Sequence, residues 1–355
     1  LIFMAKKEIG EQSVEFDIPP LIVGAASVVG KKEGEGPYGT YFDQIETDPM
    51  AGAKTWEEAE ETFQQKAAQM AIRKSGLKEK DIRYIVAGDL LGQLIASSFG
   101  LMSLDIPIFG VYGACSTMGE SLAIGSILVD GGFADRVLAL TSSHFASAEK
   151  QFRFPLGYGN QRPKAATWTV TGSGAVVLSS QKDTKKKLAG KKQMDRLVQV
   201  RGVTTGKIVD FGVKDSMNMG ACMAPAAAAV VVQNMRDFGL QPQDYDQIVT
   251  GDLGKVGKDI LIDMVRAGGY DISSRYMDCG IEIYSEEQNV QAGGSGCGCS
   301  AVMLTGYILP KLQKGEWKRV LFVPTGALLS TVSFNEGRSV PGIAHGVILE
   351  TANEE

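Results

Sequence analysis

Hydrophobic residues occur along this chain in two patterns: short apolar runs, and longer stretches in which apolar side chains recur every three or four positions. The short runs are typical of buried strands. In the first half of the chain they predict strands at 21–29, 82–87, 109–112, 136–142 and 170–178. Between the first two strands, Thr55 and Glu58 form a capping box, and the helical spacing that follows predicts a helix that continues to Gly76.

The second half of the chain repeats this order of elements. Its apolar runs predict strands at 197–203, 247–250, 320–325 and 343–349, and its helical patterns cover 223–238 and 259–267. Gly88-Asp89-Leu90 recurs as Gly251-Asp252-Leu253, and Ala114-Cys115-Ser116 is echoed by Gly298-Cys299-Ser300. Two long segments with one order of elements imply a duplicated α/β unit. The predicted halves are 1–195 and 196–355.

Composition and charge argue against several classes of protein. The net charge of −5 does not suit a surface that binds nucleic acid, because such a surface requires a basic face. The five cysteines, an odd number, suggest reduced thiols in a cytosol-like compartment. Cys297 and Cys299 lack the usual zinc-ligand spacing and only two histidines are present, so we expect no structural zinc site. No apolar run reaches the roughly 20 residues needed to span a bilayer.

Cys115 is the first candidate for chemistry. It lies at the predicted turn between the strand 109–112 and an apolar helix at 118–129. A thiol at a helix N-terminus faces unpaired backbone N–H groups and the positive end of the helix dipole, and both favour the nucleophilic thiolate. The alternative is a buried cysteine that only packs. The second copy of its surroundings favours a functional role.

Further polar candidates follow predicted strands. Asp89 and Asp252 close the two Gly-Asp-Leu copies, at the strand ends where ligands of parallel sheets gather. Asp89 either lines a pocket or caps the next helix, and the cap is at least as favourable. Ser143 and His144 follow the strand 136–142, and His345 lies on the strand 343–349.

Two polar segments interrupt the first half. The insertion 148–166 is long and basic and contains Arg153, and a loop of this kind is usually a lid or a subunit contact. The segment 182–192 carries six lysines. We favour a solvated hairpin tip there over a contact with anionic lipid.

Several motifs resemble those of the thiolase superfamily. The segment 85–90 resembles the thiolase strand that ends in Gly-Asn-Val, 170–175 resembles the Gly-Asp-Gly-Ala turn of the initiating β-ketoacyl-ACP synthases, and 342–346 resembles their C-terminal glycine motif. The resemblance implies two βαβαβαββ halves in an α-β-α-β-α sandwich. It also implies two five-stranded halves, with the helices of Cys115 and Cys299 buried side by side between two sheets. Cys115 falls on the position of the acylated nucleophile.

The partners of that nucleophile are missing. Superfamily enzymes use a His with a second His or an Asn to activate the thiol and to stabilise developing charge. One His would follow the second-half strand, where this chain has Asp252, and the other group belongs within 293–299, where no His or Asn occurs. Neither His144 nor His345 matches these positions.

One branch of the superfamily shares this pattern, the stage V sporulation protein AD family of spore-forming Firmicutes. The segments similar to that family are 113–117, 141–144, 151–153, 223–228 and 292–297. The resemblance implies a non-enzymatic protein that binds dipicolinic acid and its calcium chelate. It further implies a homodimer, made in the forespore cytoplasm, that associates peripherally with the spore inner membrane through other stage V sporulation A membrane proteins.

The resulting hypothesis is a dipicolinate pocket beside Cys115, with calcium present only as part of the chelate. Asp89 and Asp252 are candidates for the metal side and Ser116 and His144 for the carboxylate side. The full set of candidate ligand residues is Cys115, Ser116, Thr117, Ser143, His144, Arg153, Asp89, Asp252, Ser295 and His345. The alternatives are an acyltransferase of the β-ketoacyl-ACP synthase or thiolase type that uses Cys115, and a structural scaffold for a membrane complex.

Overall fold

The structure, a computed structural model, describes residues 7–152, 162–188 and 196–352. Within these ranges the strands are β1 Glu8–Ile9, β2 Ser13–Glu15, β3 Leu21–Gly30, β4 Gln44–Glu46, β5 Tyr84–Gly88, β6 Ile108–Gly110, β7 Arg136–Ser143, β8 Trp168–Thr169, β9 Gly172–Ser179, β10 Val198–Thr205, β11 Gln247–Thr250, β12 Tyr276–Asp278, β13 Gly294–Ser295, β14 Arg319–Val323, β15 Thr325–Ala327 and β16 Gly342–Thr351. The α-helices are α1 Lys31–Gly34, α2 Trp56–Lys74, α3 Ile95–Met102, α4 Thr117–Asp130, α5 Phe145–Phe152, α6 Gln181–Leu188, α7 Met219–Phe238, α8 Gly254–Ala267, α9 Cys279–Glu282, α10 Cys297–Met303, α11 Leu309–Gln313 and α12 Thr331–Asn335.

The two halves have the same strand order, as the sequence repeat predicts. The first half reads β6-β5-β7-β9-β3 and the second reads β12-β11-β14-β16-β10. The strand directions also match. In each series the first three strands are parallel to one another, and the fourth strand is antiparallel to both of its neighbours. The duplication prediction is therefore confirmed. The strands β3 and β10 pair at the centre and join the two series.

The halves stack into five layers. Helices α2 and α3 cover the outer face of the first-half strands, and α7 and α8 cover the outer face of the second-half strands. Helices α4 and α10 contact each other and lie in the core shared by both halves, as predicted. All seven residues of α10 are buried, which fits a helix enclosed on every side. By contrast α8 buries a single stripe, which includes Gly257, Leu261 and Val265.

Most of the short apolar runs form buried strands, as predicted, and one of them does not. Thr55 and Glu58 form the predicted capping box at the start of α2. The prediction of a buried strand at 109–112 is wrong. The strand is β6, and Ile108 and Phe109 are 45% and 47% exposed because β6 lies at the edge of the sheet. The strand β12 was not predicted, because its three residues contain no apolar run.

The boundary between the halves stays a prediction. Residue 196 is the first described residue of the second half, and β10 begins two residues later. Of the insertion 148–166 the first and last parts belong to the described residues, and of the lysine-rich segment 182–192 only the first part does. That first part lies in the helix α6, so the prediction of a hairpin tip there is wrong. Across the described chain, no helix combines the length and the apolarity needed to cross a bilayer.

Candidate functional site

A narrow cavity lies beside Cys115. Its volume is about 30 Å³, which is room for about two water molecules. Most of its wall is apolar. The apolar lining residues include Leu90, Ala114, Ala148, Phe152, Ala327 and Leu329. The polar lining residues include Cys115, Glu149, Thr169 and Ser295. Thr169 and Ser295 are register partners in the short parallel pair of β8 and β13, so this pairing forms one side of the cavity.

Cys115 lies in a tight 3-10 turn, Ala114–Ser116, that leads into α4. Ala114 has a φ of +49°, a left-handed conformation that non-glycine residues seldom adopt. Two predicted ligand residues stabilise this turn. Ser116 donates its hydroxyl to the Gly113 carbonyl at 2.6 Å, and Thr117 donates to the Ala114 carbonyl at 2.6 Å. Their hydroxyls therefore hold the backbone that presents Cys115 and do not line the cavity.

The Cys115 thiol stays protonated. Burial raises its pKa well above the usual range, and the nearby Asp252 carboxylate raises it further. The Gly296 N–H favours the thiolate, but its effect is smaller. The expectation that a helix N-terminus makes Cys115 a thiolate is therefore wrong, because desolvation and a neighbouring acid outweigh the backbone donors.

Asp252 is the acidic partner of this thiol. It is buried next to Cys115, and its carboxylate accepts the Gly296 N–H at 2.9 Å and the Thr325 hydroxyl at 2.8 Å. Burial raises the pKa of Asp252 to about 7, against the lowering effect of these donors. The carboxyl group therefore titrates near neutral pH.

Asp89 occupies the matching place in the first half but has a different role. Its carboxylate accepts the Leu91 N–H at 2.8 Å and both the N–H and the hydroxyl of Ser97, at 2.8 and 2.6 Å. Ser97 lies in the first turn of α3. The sequence left open whether Asp89 lines a pocket or caps the next helix, and in the structure it stabilises the start of a helix. It does not line the Cys115 cavity.

Ser143 and His144 also point away from the cavity. The Ser143 hydroxyl donates to the Val170 carbonyl at 2.7 Å and accepts the Gly298 N–H at 2.9 Å, which ties β7 to α10. His144 donates from Nε2 to the Pro49 carbonyl at 2.8 Å and accepts the Ala146 N–H at Nδ1. Burial lowers the pKa of His144, so its ring is neutral.

His345 and Arg153 complete the predicted set. His345 is 6% exposed on β16, outside the cavity lining, and burial lowers its pKa to about 4. Arg153 lies outside the described residues. Of the ten predicted residues, the structure thus brings Cys115, Asp252 and Ser295 together.

One polar residue of the cavity was not predicted from the sequence. Glu149 lines the cavity, and its carboxylate lies 3.0 Å from the Arg162 guanidinium in a pair that is almost fully buried. The basic insertion 148–166 contains both residues, but nothing in the sequence indicates the pairing. Cys297 does not line the cavity but packs in one apolar cluster with Cys115, and its thiol donates to the Ala114 carbonyl at 2.9 Å. Cys299, the residue the repeat singled out, bonds to the Gly251 carbonyl instead.

Comparison with known proteins identifies one family at the sequence level. The profile of the stage V sporulation protein AD family matches residues 10–350. The stage V sporulation protein AD of Bacillus subtilis (strain 168) is 43% identical over 343 residues, which cover 97% of this chain and 98% of that protein.

Three similar solved structures are those of enzymes with low sequence identity to this chain. Acetyl-CoA acetyltransferase from Syntrophomonas wolfei has a TM-score of 0.60 at 13% identity and covers 95% of this chain and 100% of its own. Human mitochondrial 3-ketoacyl-CoA thiolase in complex with CoA has a TM-score of 0.58 at 13% identity, with 95% and 98% covered. The 3-oxoacyl-[acyl-carrier-protein] synthase III from Aquifex aeolicus VF5 has a TM-score of 0.55 at 14% identity, and the match covers 93% of this chain and 99% of that protein. These similarities establish a thiolase-like fold.

Proposed function

The chain belongs to the stage V sporulation protein AD family, and from that premise we propose that it is a non-enzymatic sporulation protein that binds dipicolinic acid and its calcium chelate. In this proposal the thiolase-like scaffold keeps its central cavity and has lost its chemistry. The ligand is taken up by the developing spore, and this chain is the component that recognises it.

The observation that carries the proposal is the pairing of Cys115 with Asp252. Acyl transfer requires a thiolate, and a neighbouring cation or neutral base stabilises or generates it. Here the neighbour is a buried acid, which stabilises the protonated thiol. Of the described residues that line the cavity, none is a histidine. The geometry thus supports a binding site over a nucleophile.

A second candidate function is acyl transfer with Asp252 as the general base. The pKa of about 7 favours it, because a base titrating near the working pH is the most effective. The raised pKa of Cys115 opposes it, since transfer of the thiol proton to Asp252 is then uphill.

Two measurements separate these functions. Calorimetric titration with dipicolinate, with and without calcium, should give saturable binding; no heat in either titration contradicts the proposal. Incubation with acetyl-CoA or malonyl-ACP followed by intact-mass analysis should give no adduct on Cys115. A stable adduct with turnover would restore the acyltransferase.

The placement of dipicolinate beside Cys115 is part of the proposal. Cys115 and Ser295 line the cavity and Asp252 lies next to Cys115, but a cavity of about 30 Å³ admits an aromatic ring only after apolar wall residues such as Phe152 and Leu329 move. Cys115→Trp fills the cavity and should abolish binding at this site. Unchanged stoichiometry in that variant would place the ligand elsewhere.

A homodimer is proposed from the exposed edge of the first-half strands. The strand β6 presents unpaired backbone groups, and Ile108 and Phe109 on it, with Phe99 and Met102 on α3, are 45–70% exposed. Such an edge is a template for pairing with another chain. Ile108→Lys should convert a dimer to a monomer in sedimentation analysis; a monomeric wild type contradicts this proposal. Contact with the stage V sporulation A membrane proteins stays a proposal that follows from the family.

A further inference from the structure

The wall of the Cys115 cavity has a second face. Along β8, Thr169 lines the cavity, whereas its neighbour Trp168 lines a separate pocket on the other side. The helix α5 also contributes to both sites, because Glu149 lines the cavity and Phe145 lines the pocket. Successive strand residues point to opposite faces, so one short segment can build both sites. We call the outer site the Trp168 pocket.

The Trp168 pocket is large enough for a small ligand. Its volume is about 470 Å³, which falls in the range of roughly 300–1,000 Å³ typical of small-molecule sites. The residues that give it its chemical character are Lys31, Lys32, Trp56, His144, Phe145 and Trp168. The pocket opens to solvent, whereas the cavity beside Cys115 holds about two waters.

The walls of this pocket are flat and aromatic. Phe145 and Trp168 stack with ring centres 4.0 Å apart and planes 17° apart. Trp56 and His144 form a second aromatic pair, 5.6 Å apart and inclined by 33°. Because both ring nitrogens of His144 are engaged by backbone groups, this ring acts as an uncharged wall. Planar aromatic walls favour a planar ring as ligand.

A cation lies over one of these rings, that of Trp168. The Lys32 ammonium lies 4.6 Å from the centre of the Trp168 ring and donates to the Gln288 carbonyl at 2.8 Å. An ammonium group has three N–H donors, and no second hydrogen bond of this one is found within the described residues. Lys31 adds a more exposed positive charge at the rim, 3.7 Å from Glu35.

The buried acid of the pocket is already satisfied. Glu33 accepts the Thr171 N–H at 3.0 Å and the Tyr284 hydroxyl. The remaining acid, Glu35, is exposed and faces Lys31. Lys32 is therefore the charged group best placed to meet an anionic ligand inside the pocket.

We infer that the Trp168 pocket is a second ligand site, which binds a small planar aromatic carboxylate between its aromatic walls with Lys32 pairing the carboxylate. Dipicolinate belongs to this class, so the inference rests on the proposed function and extends it. A charge-assisted hydrogen bond in a partly buried site supplies both attraction and orientation. The shared wall of α5 and β8 places this outer site directly against the Cys115 cavity.

The first test is a calorimetric titration of the full chain with dipicolinate. Lys32→Gln keeps a donor of similar length but removes the charge, and should weaken binding at this site by about tenfold or more. Lys255→Gln is the matched control, because Lys255 is an exposed lysine paired with Glu286, outside this pocket, and should bind as the wild type does.

Identical binding by Lys32→Gln and the wild type would overturn the inference while leaving the proposed function intact. No binding by the wild type would instead defeat the proposed function, and the inference with it. The two failures are thus distinguishable in one series. Circular dichroism of each variant confirms that the fold is retained.

The second test uses the three tryptophans of the chain. Trp56 and Trp168 line the pocket, whereas Trp317 packs against Tyr307 elsewhere. Dipicolinate should quench the fluorescence of Trp317→Phe, with excitation at the red edge of tryptophan absorption, beyond the ligand's own band. The double variant Trp56→Phe/Trp168→Phe retains only Trp317 and should show little quenching. Equal quenching in both proteins would contradict the assignment.

Discussion

The two halves of this protein use the same backbone with different chemistry. Asp89 and Asp252 follow corresponding strands, and both are buried with raised pKa values. Asp89 accepts hydrogen bonds from the start of a helix, whereas Asp252 accepts them from Gly296 and Thr325 and lies next to the Cys115 thiol. The difference shows that the duplication sets the backbone position of a side chain, whereas the residues in contact with that side chain determine its role.

The largest expected effect is on stability, from the substitution Asp89→Asn. Each carboxylate oxygen of Asp89 faces a backbone N–H, from Leu91 or from Ser97, so the amide NH₂ of asparagine must oppose a donor in either orientation. The free energy of unfolding should fall by about 3 kcal/mol, the cost of leaving such buried groups unsatisfied. Urea denaturation measures it.

Asp252→Asn provides the matched comparison for this prediction. One oxygen of Asp252 faces the Gly296 N–H and the other faces the Thr325 hydroxyl, which can accept as well as donate. Asparagine therefore fits, and the cost should stay below about 1 kcal/mol. Equal losses at both positions would show that the two carboxyl groups have equivalent surroundings.

The next effect is a difference in pH dependence. The pKa of Asp252 is raised to about 7 in the folded chain. As the pH rises, the unfolded chain therefore releases the proton of this carboxyl group before the folded chain does. The contribution of this bound proton to the free energy of unfolding is complete below about pH 4 and is lost as the pH rises to about 7. Between these values the wild type should lose at least about 2 kcal/mol relative to Asp252→Asn. Parallel stability curves for the two proteins would contradict this.

A smaller effect concerns the reactivity of Cys115. Asp252→Asn removes the neighbouring negative charge and should lower the pKa of the thiol. Alkylation of Cys115 by iodoacetamide near neutral pH should become about tenfold faster, as for a change of one pKa unit. Peptide mapping by mass spectrometry measures the rate, with Cys297 as the internal reference. An unchanged rate would show that Asp252 does not control the thiol.

The smallest effect is expected for Cys115→Ser. A binding site needs shape and polarity at this position, and a serine hydroxyl supplies a similar donor to Asp252. Dipicolinate affinity should change by less than about threefold, which is below 1 kcal/mol. Loss of sporulation function with fold and affinity intact would mean that the cysteine acts chemically, and the binding proposal would fail.

The sequence by itself determined the arrangement of the fold. Repeated spacing predicted two equivalent halves, and the resemblance to the thiolase superfamily implied an enclosed central layer. The first prediction depends on local periodicity, which reports burial and element type directly. The prediction of burial was wrong at β6, because an apolar run has the same pattern at the centre of a sheet and at its exposed edge.

Only the tertiary structure decided which polar groups share a site. Ser143 is held by Gly298, Cys297 by Ala114, and Asp252 by Gly296, each from a distant part of the chain. A buried hydroxyl, thiol or carboxyl group turns toward whichever donor or acceptor is near, and that partner is fixed by how the layers stack. For the same reason Trp168 and Thr169, adjacent in the sequence, face two different pockets.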